Sequence, residues 1–162
     1  MAVKIVNPFY ICFLSSNILF FRDFDEIQTE GLIFNNIDFD NCKHINILLN
    51  ELIKPEFMRL NDATKLGVMY SLYYVNKFNN KKYFSVVVEC FDYLDISSDA
   101  IDYILKSLWE ILFDGVELSF EEKDFNISFK PLNDHQVGYV SKTEIKGMSE
   151  VADIIYEKIL NL

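Results

Sequence analysis

Glycine and proline are scarce in this chain, five and three residues in 162. That leaves little material for long flexible linkers, and no low-complexity tract or internal repeat is present. Histidine is scarcer still: His44 and His135 lie far apart. The three cysteines, Cys12, Cys42 and Cys90, form no CxxC pair. A structural zinc site and a disulfide framework are both disfavoured by this spacing. Each cysteine falls in an apolar run, which reads as a buried, reduced thiol in a reducing compartment. No GxGxxG, P-loop, GxSxG or HExxH occurs, so the common phosphate-binding, acyl-transfer and zinc-protease signatures are missing. The sequence therefore predicts no catalytic residue, no cofactor and no metal, and a binding protein in place of an enzyme.

Apolar and acidic residues are abundant. Hydrophobic residues make up 51% and aromatics 15%, including fifteen Phe and nine Tyr, which excludes a disordered chain and supplies a core for one domain over 1–162. Between Asn7 and Phe21 an apolar stretch is broken by Ser15-Ser16-Asn17 and lacks the basic start and small-residue cleavage site of a signal peptide. It is also shorter than the ~20 residues that span a bilayer. The expectation is a buried core element in a cytoplasmic protein that does not engage membranes.

Periodicity predicts a mainly helical α+β domain. Residues 1–40 carry several short apolar runs that fit strands or one buried helix, and the pattern does not separate them. Ile45, Leu48, Leu49, Leu52 and Ile53 mark a helix capped by Asp40 or Asn41 and ended by Pro55. A second helix is expected from about Asp62 to Lys77 with Leu66, Met69, Tyr70 and Tyr73 on one stripe. A third is expected within Tyr83–Leu94, and a fourth opens at Ser97-Ser98-Asp99 and stops at Asp114-Gly115. The period then changes from 3.6 to 2. Val116, Leu118 and Phe120, then Phe125, Ile127 and Phe129, alternate with polar residues about Glu121–Asp124, which predicts an antiparallel β-hairpin over about 116–130. Val137–Val140 reads as a short third strand, and a closing helix follows Ser149-Glu150.

The formal charge is −10, with 25 acidic against 15 basic residues. Such a protein repels phosphate backbones and attracts basic partners. The charge is also polarised. Residues 84–129 carry a net −9 and residues 22–40 a net −5, while 41–83 carry +4. Solubility alone is served by mixed charge, so the asymmetry points to a charged partner. The candidate contact residues are Asp92, Tyr93, Asp95, Asp99 and Asp102 with Tyr103, around a turn between two helices, and Glu117, Glu121, Glu122 and Asp124 in the hairpin. Tyrosines among carboxylates suit an interface that accepts Arg and Lys. Two shorter acidic runs, Asp23-Phe24-Asp25-Glu26 and Asp38-Phe39-Asp40, resemble fragments of a calcium loop without its Gly and Glu positions; they read as buried aromatics between solvated acids. His44 reads as a structural residue beside its helix's apolar face. His135, in the loop Asn133–Gln136 beside Asp134, is the best candidate if the chain were an enzyme.

In size, acidity and lack of catalytic residues the chain resembles the immunity proteins of bacterial contact-dependent growth inhibition and other polymorphic toxin systems. That resemblance implies a monomer that forms a heterodimer with a cognate, basic toxin domain such as a nuclease, covering its active site with carboxylates. Small acidic chaperones of secreted effectors, which dimerise and grip extended client segments, are the alternative.

Overall fold

A computed structural model describes residues 2–140 and 146–162. The chain enters as a three-residue strand, β1 (Lys4–Val6), and turns at once into α1 (Phe9–Thr29). Asn7 makes that turn rigid. Its backbone N–H donates to Ser71 Oγ (3.1 Å), and Ser71 Oγ donates to Asn7 C=O (2.9 Å). Its side-chain amide donates to Lys130 C=O (2.8 Å), while its Oδ1 accepts from Phe9 N–H (2.9 Å).

The Phe-rich stretch that sequence leaves between strands and helix is helix α1, about 31 Å long at 1.5 Å per residue. Ile11, Leu14, Ser15, Ile18, Phe21 and Asp25 form its buried stripe. It ends where Glu30 (φ 56°) and Gly31 (φ 82°) adopt left-handed conformations.

Asn41 caps α2 (Cys42–Leu48) by accepting from Lys43 N–H. Pro55 does not end the helix as expected. The chain passes through a π-helical turn, Leu49–Ile53, into α3 (Lys54–Met58). A π turn bonds five residues back, as Lys54 N–H does to Leu49 C=O. Its wider ring relieves the clash a proline makes with the carbonyl four residues earlier. It also turns Leu49, Leu52 and Ile53 inward together.

Helix α4 (Asp62–Lys77) is central and capped by Asn61, which accepts from Thr64 N–H. Its buried residues are Thr64, Val68, Ser71, Leu72, Tyr73 and Tyr74. The expected stripe is rotated, since Leu66 is 46% exposed. Helix α5 (Lys81–Glu89) follows, then a 3-10 turn at Asp92–Leu94, then α6 (Ser98–Phe113), capped by Ser97 through Ala100 N–H (3.1 Å). Helix α6 runs antiparallel to α4: Tyr73 meets Trp109 (ring centroids 5.9 Å) and Asn76 donates to Leu105 C=O (3.0 Å).

The expected hairpin is absent. Residues 116–120 form no strand although Val116, Leu118 and Phe120 alternate. The Tyr73 hydroxyl takes the place of a partner strand, donating to Leu118 C=O (3.0 Å) and accepting from Phe120 N–H (3.1 Å). A 3-10 turn, Glu122–Asp124, then redirects the chain. Within it Glu121 and Asp124 form a reciprocal capping box. Strand β2 (Phe125–Ile127) pairs with β1, in parallel, with Lys4 opposite Phe125 and Val6 opposite Ile127. The sheet is two-stranded and parallel, so the α+β, mainly helical reading holds while the antiparallel one is corrected. Phe125 packs into a cluster with Tyr70, Tyr73, Tyr74, Phe78 and Phe120 at centroid distances of 5.6–6.2 Å. Val137–Val140 makes a single antiparallel bridge, Leu60 to Tyr139, and not a third strand of that sheet. Helix α7 (Met148–Leu160) closes the core with Val151, Ala152 and Ile155, and its Lys158 pairs with Glu51.

Candidate functional site

The ten acidic and tyrosine candidates fall into two groups that flank α6 in sequence. Asp92, Tyr93, Asp95, Asp99, Asp102 and Tyr103 surround the turn entering the helix. Glu117, Glu121, Glu122 and Asp124 follow its C-terminal end. Among the described residues no hydrogen bond or ion pair joins one group to the other.

Several of these side chains have local work. Glu121 and Asp124 are committed to their capping box, and Glu121 also pairs with Lys123 (2.8 Å). Glu122 accepts from the Tyr74 hydroxyl (2.9 Å). Asp102 pairs with Lys106 one turn later (2.7 Å). Tyr103 reaches Asn46 Oδ1 (3.3 Å). Tyr93 donates to Ser15 C=O (2.6 Å), and burial pushes its phenol pKa upward. Both tyrosines therefore direct their hydroxyls at internal partners.

What remains is Glu117, exposed beyond α6, and a corner. Asp92, Asp95 and Asp99 are exposed and make no ion pair among the described residues. Asp95 sits in the left-handed region (φ 51°), which closes the turn and aims the backbone into α6. Asp99 lies in the first turn of α6, where a negative charge is favourable to the helix dipole.

The second acidic segment meets this corner through a residue that sequence reasoning left aside. Arg22 of α1 donates to Tyr93 C=O (3.0 Å), lies 5.4 Å from the Tyr93 ring centroid, and pairs with Asp23 (3.3 Å). It is the only cation in residues 22–40, and the fold directs it inward. The only hint in the sequence is a lone arginine opening an acidic run.

Asp25 corrects another expectation. It is fully buried, not solvated. Its carboxylate accepts from Ile33 N–H (3.0 Å), Phe34 N–H (2.7 Å) and Thr29 Oγ1 (2.6 Å). It therefore fastens the chain beyond α1 and is not available as a surface ligand. Asp23 and Glu26 beside it are exposed, as are Asp38 and Asp40.

Cys12 and Cys90 bring their sulfurs into contact, with Cα atoms 5.0 Å apart, and Cys42 is exposed. This overturns the reading of three buried thiols. Apolar surroundings did place Cys12 and Cys90 against the core, but α1 and α5 bring them together across 78 residues. His44 Nδ1 accepts from Asp38 N–H (2.9 Å), a structural contact at the entry to α2. His135 is exposed, and its side chain makes no hydrogen bond among the described residues. No helix there is long and apolar enough to cross a membrane, and no cluster of three or more His, Cys, Asp or Glu is arranged to hold a metal. No protein-family model, no curated protein and no solved structure matches the chain.

Proposed function

We propose that the chain is an immunity protein that binds a cognate basic toxin domain, such as a nuclease, and shields its active site with carboxylates. The observation that carries this reading is the unbalanced corner: Asp92, Asp95 and Asp99 stand exposed, and Arg22, the cation against the Tyr93 ring, is tied to that residue's carbonyl and to Asp23. Carboxylates displayed without partners are stabilised by a partner's lysines and arginines, and they speed its approach. They would stand where nucleic-acid phosphates bind, and the complex would be one-to-one.

The test is a tagged pull-down from the native host with the partner identified, followed by association kinetics on the purified pair. The D92K/D95K/D99K variant is expected to associate at least tenfold more slowly at low salt, with the difference shrinking as ionic strength rises. Association unchanged at low salt removes the corner from the interface.

An effector chaperone is the second reading, favoured by one feature. Val3 and Ile5 of β1 and its approach are 52% and 64% exposed along a shallow groove against Leu66 of α4, a shape that suits an extended client segment. A stable dimer in sedimentation with a secreted partner would support it; a monomer with a basic partner supports immunity.

A further inference from the structure

We propose that the groove between α1 and α5 receives one aromatic or aliphatic side chain of the basic partner, while the acids around it take the flanking lysines or arginines. This rests on the reading of the chain as an acidic binding protein and names where the apolar anchor of that interface sits.

The groove has a volume of about 380 Å³ and is lined by Phe9 and Leu19 of α1, by Val86 of α5, and by Tyr93. The Cys12 and Cys90 side chains line it too, meeting between α1 and α5. Ser15 Oγ ties the walls, donating to Cys90 C=O (3.3 Å). Phe20, 60% exposed, stands one turn beyond Ser16 and extends the apolar surface outward.

Charge selects the occupant. Glu89 lines the groove and is exposed; Asp92 precedes Tyr93, and Asp23 lies where Arg22 reaches that residue. The groove's lining includes no lysine or arginine. Lys82, one turn before Val86, is held over the Phe129 ring at 4.5 Å. An apolar slot lined by Glu89, with Asp92 beside Tyr93 and the Arg22 charge at that end offset by Asp23, matches a large apolar residue between basic ones. Hot spots take this form: one desolvated anchor ringed by charge.

The probe is a synthetic peptide with one tryptophan between pairs of lysines and arginines. Two control peptides carry alanine for the tryptophan, or glutamate for every basic residue. Fluorescence anisotropy on the full chain is expected to show the tryptophan peptide binding at least tenfold tighter than the alanine peptide, and the glutamate peptide not binding. Val86→Lys and Glu89→Lys are each expected to weaken the tryptophan peptide about tenfold. Glu110→Lys, the same charge change on the exposed side of α6, is the control and is expected to change it less than threefold. Glu89 is exposed, so its variant tests the groove without disturbing the core. Equal binding of the tryptophan and alanine peptides, or groove variants that behave like Glu110→Lys, overturns the groove and leaves the acidic reading standing. Failure of every basic peptide to bind overturns both.

Discussion

Replacing Asp25 by alanine removes the acceptor for two backbone amides, those of Ile33 and Phe34, and for the Thr29 hydroxyl. Ile33 is 5% exposed, so its N–H has no ready substitute in water. A buried donor left without a partner costs about 1–3 kcal/mol, and two of them about 2–6 kcal/mol. Removing a carboxylate from a dry site returns part of that, because its desolvation penalty disappears too. The net expectation is a loss of about 3 kcal/mol. Asp25→Asn keeps one acceptor oxygen and is expected to lose about half as much. Urea unfolding followed by the fluorescence of the single tryptophan, Trp109, reads the difference directly. At a slope of about 2 kcal/mol per molar urea, the alanine variant's midpoint falls by about 1.5 M with the slope unchanged. Hydrogen exchange localises the effect, since the Ile33 and Phe34 amides lose protection beyond the global change. A loss under about 1 kcal/mol, with alanine and asparagine equivalent, would refute the reasoning: the amides would then be finding other acceptors and the carboxylate would not be the fastener.

A Cys12–Cys90 bond would close a loop of 78 residues in sequence, for which loop-closure entropy gives about 4.5 kcal/mol. Thiol titration in denaturant is expected to count one free thiol, Cys42, before reductant and three after it; three at the outset would refute the bond. Reduction or Cys90→Ser is expected to lower the unfolding midpoint by an amount consistent with that figure. Burial raises the phenol pKa of Tyr83 and of Tyr93, with hydrogen bonds to Ser71 and Ser15 opposing it less strongly. In the unfolded chain these phenols titrate near 10. Stability from keeping them neutral is therefore fully present below pH 10 and declines as pH rises above it toward the folded values. Unfolding midpoints measured between pH 9 and 11.5 are expected to fall, and less steeply in Tyr83→Phe; a flat profile would refute the assignment.

The helices with clean signals at both ends were legible in the sequence. Ser97 and Asp114-Gly115 bracket α6, and the apolar positions between them at 3.6 spacing carry its buried face. The buried face of α4 was not legible, because its apolar residues spread over more than one side while Thr64 and Ser71 are among those it buries. A run of apolar residues hid α1 among candidate strands. The alternation at Val116–Phe120 was real but answered to the Tyr73 hydroxyl on α4, not to a neighbouring strand. Partners of that kind, like Cys90 for Cys12, Tyr93 for Arg22 and the two amides for Asp25, are chosen by tertiary packing and leave no local pattern. For the candidate site, the acids at the α5–α6 turn were legible by charge counting. Their internal engagements were not, and neither was the groove beside them.

The parallel pairing of β1 with β2 has a kinetic consequence. Lys4 and Phe125 are 121 positions apart in the chain, so this small sheet demands one of the longest-range closures the molecule makes. Closing so long a loop brings only three residue pairs of ladder in return, which makes it a poor nucleus. Local helices and the α4–α6 pair can form first, with β1 unpaired beside them until β2 arrives. In a chain made from its N-terminus, the first strand is synthesised long before its partner and waits with Ile5 and its backbone edge uncovered. A chaperone encountering the nascent protein would find that edge open.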